Sequence, residues 1–283
     1  MLHNPFAELS AFVSPAVMQA YVILMIILVA GGTILDMLHK RSAEYFFANS
    51  KKAQASAKRE VTSAEKIGLA VQTLTNEVLT SSEFCNVNRR ISHLFTMYGF
   101  IVFVLSSAIL IFAYPTPDVA APGLLTFLWH LGALSLCVGG YWFWFSIRVD
   151  VAAEGKNWYQ ISGRGDIFIL GLLSTATFAL LWSFAQQGGA GVLTNLLFAL
   201  FVISATVLFG TVYWSKLAHM FFKPAAAFQK KVTKADGSQE NLPDEYDPAD
   251  PEVHKRFPDI KEYMGSNPPN MGLGISREAP RHY

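Results

Sequence analysis

Residues 167–215 read IFILGLLSTATFALLWSFAQQGGAGVLTNLLFALFVISATVLFGTVYWS, a stretch of 49 residues without an acidic or basic side chain. A membrane-spanning helix needs about 20 apolar residues, so the stretch is too long for one span and suits two. Its middle, Gln186–Gly191, is rich in glycine and predicts the turn between them. The stretch therefore predicts two antiparallel transmembrane helices.

Three other stretches, 11–35, 91–116 and 119–147, also lack charged residues. Only 15% of the chain is charged, against about 25% in a soluble domain. The sequence thus predicts an all-α integral membrane protein, a bundle of five transmembrane helices at roughly 15–37, 91–113, 124–147, 167–185 and 192–220. The net charge of +1 does not indicate a nucleic-acid surface, and two cysteines are too few for a four-thiolate iron–sulfur cluster or a disulfide scaffold.

The basic residues predict the orientation of the bundle. Nine of the 22 Lys and Arg residues lie between the first two spans, three lie at 148–164, and ten follow from Lys216 onward. The N-terminal segment and the other two loops contain none. Because basic loops stay in the cytoplasm, we expect the N-terminus outside and the C-terminus inside. The first span has no basic segment before it and is too long for a signal peptide, so we expect a retained helix.

The sequence divides into an N-terminal segment with the first span (1–37), a cytoplasmic loop (38–90), a four-helix membrane core (91–220) and a cytoplasmic tail (221–283). Within the loop, apolar residues recur at helical spacing and predict an amphipathic helix: Ile67, Val71, Leu74 and Val78. This helix either packs on the membrane domain or the lipid surface, or it forms a site for a protein partner.

The tail contains seven acidic residues and no Lys or Arg within 236–252. Such a composition does not form a core by itself. Two interpretations remain at this stage, a solvated disordered tail or an extended segment that wraps a soluble partner and orders on binding.

His93 and His219 lie near the inner ends of the predicted second and fifth spans. Two imidazoles at the same depth on different helices can ligate one haem iron from both sides, which makes them the candidate metal ligands. Four cations at this level are candidates for pairing with haem propionates, or are ordinary positive-inside flanks: Arg89, Arg90, Lys216 and Lys223.

His130 lies in the outer half of the third predicted span, without a second histidine at its depth. Intramembrane ionisable residues are functional candidates by default. His130 therefore either bonds a quinone carbonyl or joins its helix to a neighbouring one.

The run RISHLFTMYGF at 90–100 and the run KLAHM at 216–220, with five spans, resemble the membrane cytochrome b subunits of the nitrate reductase gamma and heterodisulfide reductase E type. In the nitrate reductase gamma pattern, two histidines ten apart and two about eighteen apart hold two stacked haems b. His93 and His219 match the inner pair, whereas Phe103 and Phe201 stand where the outer ligands would be. The resemblance implies one inner haem b, exchange of electrons with quinone, and a bacterial cytoplasmic membrane.

The tail, with NPPNMGLG at 267–274 and RHY at 281–283, resembles that of the membrane anchors of dissimilatory adenylylsulfate reductase, whose soluble part carries FAD and iron–sulfur clusters. This resemblance implies a partner docked on the tail and on loop 38–90. The expected function is an electron-transfer anchor, either non-catalytic or quinone-reactive, that links this enzyme to quinone. The alternatives are a haem-free anchor and a small transporter; the absence of a mid-membrane charge cluster argues against the transporter.

Overall fold

The computed structural model describes residues 3–82, 84, 86–151, 154–215, 219–240, 242 and 250–256, without the side chains of His219 and Phe221. The described residues are predominantly helical and contain no strand. Five of their helices are long and apolar enough to cross a membrane, which confirms the predicted all-α membrane bundle.

The helices follow one another in chain order. They are α1 (Pro5–Leu9), α2 (Pro15–His39), α3 (Ser42–Ala55), α4 (Ser63–Gln72, continued by a π-helical segment Thr73–Leu79), α5 (Val87–Ala113), α6 (Gly123–Trp142, continued by a π-helical segment Phe143–Ile147), α7 (Gly163–Gln187), α8 (Val192–Gly210), α9 (His219–Ala235) and α10 (Pro251–Arg256). The five long helices are α2, α5, α6, α7 and α8. Helix α5 begins four residues before the predicted span because the Asn86 side chain caps it, accepting a hydrogen bond from the Arg89 backbone N–H at 3.1 Å.

The last span is shorter than predicted. Helix α8 ends at Gly210, ten residues before the expected boundary at 220, and a new helix begins at His219. Glycine and the β-branched residues Thr211 and Val212 are weak helix formers, and Val212 is fully buried against the first span near Gly32. His219 therefore lies on α9, after the turn that follows Gly210, and not in the last turn of a membrane span.

Helices α5 and α6 pack backbone against backbone. A Cβ atom on Gly132 would lie 2.6 Å from the Phe103 backbone nitrogen, and one on Gly99 would lie 2.6 Å from the backbone nitrogen of Leu136. The Ser92 hydroxyl donates a hydrogen bond to the Gly139 carbonyl at 2.8 Å across the same interface. Small residues and interhelical hydrogen bonds are the means by which helices associate in lipid.

Helix α2 packs more loosely on this core. Near its inner end, Gly32 approaches the side chain of Val212. Farther out, the Tyr21 hydroxyl donates to the Val202 carbonyl at 3.2 Å, and the Gln19 amide donates to a carbonyl of α5. Between these contacts an apolar cleft separates α2 from α5 and α8.

The loop and the start of the tail form one layer at the inner end of the bundle. Lys231 of α9 forms an ion pair with Glu77 at 3.4 Å, and the Gln229 amide donates to the carbonyl of Phe46 on α3. The Asp236 carbonyl accepts from the Lys58 backbone N–H at 2.9 Å. Residues 219–235 are thus a packed helix, and neither the disordered nor the extended interpretation of the tail applies to them. The rest of the tail lies mainly outside the described residues.

The predicted amphipathic helix of the loop is α4 with its π-helical continuation. Its apolar face is not buried within the chain, since Ile67, Val71 and Leu74 are each more than half exposed. Thr73, on another side of the helix, is buried. An apolar face at the inner end of the bundle therefore stays available to lipid or to a partner.

Candidate functional site

His93 lies in the second turn of α5, six residues after the start of the helix. Its side chain is exposed in the chain as it stands. At 3.6 residues per turn, positions 93, 100, 104, 108 and 111 share one face of α5. Four of these residues, from Phe100 to Ile111, line the cleft. His93 therefore continues the cleft-facing side of α5 toward the inner end of the bundle.

The Phe84 ring contacts residues of both α5 and α9. Its centroid lies 5.0 Å from that of His93, 5.6 Å from the Arg89 guanidinium carbon and 5.2 Å from the Lys223 ammonium nitrogen. Both cations are within the range of cation–π attraction. Lys223 is one turn beyond His219, so the segments that carry the two candidate ligands meet at this ring.

The other candidate residues at the inner end of the bundle do not all lie at the Phe84 ring. The Nε of Arg90 donates to the carbonyl of Thr80 at 2.7 Å, which directs this side chain onto the loop. Lys216 lies outside the described residues, as does the side chain of His219. Of the four predicted cations, Arg89 and Lys223 are those that the described contacts bring to the His93 ring cluster.

His130 joins two helices of the core. It is buried, with Nδ1 at 2.7 Å from the carbonyl of Thr126 and Nε2 at 2.8 Å from the Ser183 hydroxyl. A carbonyl can only accept, so Nδ1 carries the proton and Nε2 accepts from Ser183. This is the helix-to-helix bond that the sequence left open as an alternative. The expectation that no second histidine shares the depth of His130 was wrong, because the His3 ring centroid lies 6.5 Å from that of His130. A quinone carbonyl cannot donate to Nε2, and to reach the Nδ1 proton it would have to displace Thr126.

Phe103 and Phe201, the two positions where the resembled family carries outer ligands, face each other. Their ring centroids are 6.5 Å apart. Each also contacts a buried tryptophan, Phe103 with Trp129 at 5.4 Å and Phe201 with Trp182 at 5.7 Å. Helices α5 and α8 thus meet through aromatic rings at these two positions, and neither position carries a side chain that could ligate iron.

The cleft has a volume of about 790 Å³. It begins at Phe6 and Leu9, which close its outer end, and reaches Thr33, Ile34 and Met220 at its inner end. Met220 directly follows His219. The inner mouth of the cleft is therefore adjacent to the segment with the second candidate ligand.

Thr33 was not singled out from the sequence. Its hydroxyl is buried on the cleft and has no hydrogen-bond partner among the residues that the structure describes, although a threonine in a helix can bond the carbonyl one turn earlier. The signal available in the sequence was a hydroxyl within an apolar run directly after Gly31 and Gly32. Adjacent glycines in a span indicate a close helix contact beside it.

The residues present suit a bis-histidine haem in their donor chemistry and charge, with a histidine on each of two adjoining segments and two cations, Arg89 and Lys223, at the Phe84 ring that contacts His93. The Phe84 ring packs against the His93 ring, so Phe84 would have to move for a haem to bind at His93. Among the described residues, no three His, Cys, Asp or Glu side chains converge as a metal site. Comparison of the chain with family models, curated proteins and solved structures gives no match.

Proposed function

We propose that this protein is the membrane anchor and electron-transfer subunit of an oxidoreductase complex, with one haem b between His93 and His219 at the inner mouth of the cleft. The observation that carries the proposal is the Phe84 cluster, where His93 and the first turns of α9 come together. Without the contacts around Phe84, two histidines 126 positions apart would have no reason to share a site.

The surroundings of the cluster support a propionate-bearing cofactor. Arg89 and Lys223 place two positive charges beside the imidazole, and both lie at the end of the bundle that the basic residues assign to the cytoplasm. When bound, a b-type haem supplies a one-electron carrier. The chain supplies the ligands, the countercharges and the anchoring of α9 to the loop through Lys231 and Glu77.

The partner in this proposal is a cytoplasmic iron–sulfur flavoprotein of the adenylylsulfate reductase type, and the membrane is the bacterial cytoplasmic membrane. The exposed apolar face of Ile67, Val71 and Leu74 supports a docking role for the loop. The end of the tail, residues 257–283, lies outside the described residues, and its docking role stays a prediction.

The haem is tested by a reduced-minus-oxidised absorption spectrum of the purified protein. We expect one low-spin b-type band that His93→Ala and His219→Ala each abolish. His254→Ala, at a histidine on α10 outside the spans, is the matched control and keeps the band. A wild-type protein without haem, or a band that survives the loss of either ligand, contradicts the haem and leaves a haem-free anchor.

Docking is tested by co-purification with the partner, followed by flavin fluorescence and iron content. Deletion of 257–283 leaves the contacts of α9 with the loop intact, so loss of the partner then reports on the tail alone. Ile67→Glu with Leu74→Glu tests the loop face in the same way. Retention of flavin and iron in both variants contradicts the proposed docking surfaces.

A further inference from the structure

The cleft between α2 and the core is long, narrow and apolar. Its lining on α2 extends from Val17 to Ile34, a rise of about 25 Å at 1.5 Å per residue. This is most of the roughly 30 Å hydrocarbon thickness of a bilayer. The volume of about 790 Å³ lies within the range of about 300–1,000 Å³ for small-molecule sites. An extended hydrocarbon chain fits such a space.

Four hydroxyl side chains line the cleft, and three of them already have partners. Tyr21 bonds Val202 and Thr206 of α8, Ser107 donates to the Phe103 carbonyl, and Thr175 donates to the Gly171 carbonyl. The fourth, Thr33, has no partner within the described part of the chain. A buried hydroxyl without a partner costs about 1–3 kcal/mol, so the site favours a ligand that brings an acceptor to Thr33.

The depth of Thr33 in the membrane favours an uncharged ligand group over a charged one. It lies six residues before the end of α2, about 9 Å inside the helix end, whereas the Asp36–Lys40 ion pair is nearer the boundary. A phospholipid head group is charged and stays at the boundary. An uncharged ring carbonyl can enter to the depth of Thr33 with its chain in the apolar cleft.

We infer that the cleft binds an isoprenoid quinone, with a ring carbonyl accepting a hydrogen bond from the Thr33 hydroxyl and the chain between α2, α5 and α8. The inference rests on the proposed function, because it names the site of the electron partner. It places the quinone ring near Met220, beside the proposed ligand His219 and on the side of the bundle toward which His93 points. It also separates the quinone from His130, whose ring nitrogens are both bonded to protein.

The test is photolabelling of the full-length protein with an azido-ubiquinone in nanodiscs of phosphatidylethanolamine and phosphatidylglycerol, with decylubiquinone as competitor. Peptides of α2, α5 and α8 that line the cleft should carry the label. Thr33→Val removes the hydroxyl and keeps the shape, and we expect a threefold to tenfold weaker competition. Thr33→Ser keeps the hydroxyl and should compete as the wild type does.

A second pair of variants tests the volume of the cleft. Ala108→Phe places a ring within the cleft and should lower labelling at least tenfold. Leu105→Phe changes the same helix at a side chain that is 58% exposed and does not line the cleft, and it should label normally. Both variants must show the wild-type elution profile and unfolding temperature. If Ala108→Phe does not fold, Ala108→Gly replaces it. Because Ala108→Gly enlarges the cleft, its labelling should equal or exceed that of the wild type.

Label outside the cleft, equal competition with Thr33→Val and Thr33→Ser, or a loss of label on raising the phosphatidylglycerol fraction of the nanodisc as large as the loss with decylubiquinone would overturn the quinone site. The haem band is recorded on the same samples. Labelling of the cleft without a haem band supports the quinone site and contradicts the haem. A haem band without labelling of the cleft supports the haem and contradicts the quinone site.

Discussion

The two faces of α5 are built in opposite ways. Toward α6, Gly99 and Gly132 let the backbones touch, with no room for even one Cβ atom at either position. Toward α2, side chains as large as Phe100 and Phe103 line an open cleft. The same helix thus packs closely against α6 on one side and forms a wall of the cleft on the other.

The face of α5 toward α6 stabilises the bundle, whereas the face toward α2 leaves space that a ligand can fill. Close backbone packing stabilises a membrane bundle, because lipid gives helices no hydrophobic reason to associate. A space of about 790 Å³ on the other side of α5 loses the dispersion contacts that close packing would provide. We therefore expect substitutions in the core to change folding, and substitutions along the cleft to change ligand binding.

The largest effect is expected at the inner end of the core, where Arg148 is fully buried. It pairs with Asp166, which is also buried, and stacks on the Trp144 ring at 4.0 Å. Arg148→Met leaves a buried carboxylate without its partner, at a cost of about 3–5 kcal/mol. Thermal unfolding in detergent measures the loss. The second change Asp166→Asn should restore part of the stability, and no recovery would show that the charge is not the cause.

A smaller loss is expected for Gly132→Ala, which forces α5 and α6 apart. Overpacking of this kind costs about 1–3 kcal/mol. Gly31→Ala is the matched control in another span, because a Cβ atom there has nothing within 4 Å. Equal unfolding temperatures for the two variants would contradict the backbone contact.

On the cleft side, Tyr21→Phe removes the hydrogen bonds of the hydroxyl to Val202 and Thr206 and keeps the ring. We expect a loss of about 0.5–1.5 kcal/mol, less than for the core variants. The spacing of spin labels on α2 and α8, measured by double electron–electron resonance, should broaden in this variant. An unchanged distribution would show that other contacts hold α2.

The smallest effect concerns the layer that loop 38–90 and α9 form at one end of the bundle. The hydrogen bond and charge of Arg59 hold the pKa of the Glu65 carboxyl below its usual value. The pair therefore contributes stability above the unfolded pKa of about 4.3, and this contribution is lost as the pH falls through the lower folded pKa. Glu65→Gln should unfold at a slightly lower temperature than the wild type at pH 7 and at the same temperature near pH 2. A difference that persists in acid would contradict this origin.

The five spans were predictable because length and absence of charge are local properties of the sequence. The end of the fifth span was not, since residues 211–215 are uncharged like the span itself but turn where Val212 is buried against α2. Helix α9 was missed because Pro224 lies within it and because its first two residues fell inside the predicted fifth span, which ended at 220. The cleft and the environment of Thr33 were not predictable, because they depend on the distance between α2 and the core. That distance is set by contacts between several helices and not by any one stretch of sequence.

The coupling of a haem to a quinone at the inner mouth of the cleft is tested most directly by stopped flow. The haem is reduced stoichiometrically under argon and mixed with decylubiquinone, so that two reduced proteins and two protons convert one quinone to quinol. We expect rapid reoxidation in the wild type and in Leu105→Phe, and reoxidation at least tenfold slower in Ala108→Phe with an unchanged haem spectrum. A protein without haem, or equal rates in Ala108→Phe and the wild type, would contradict it.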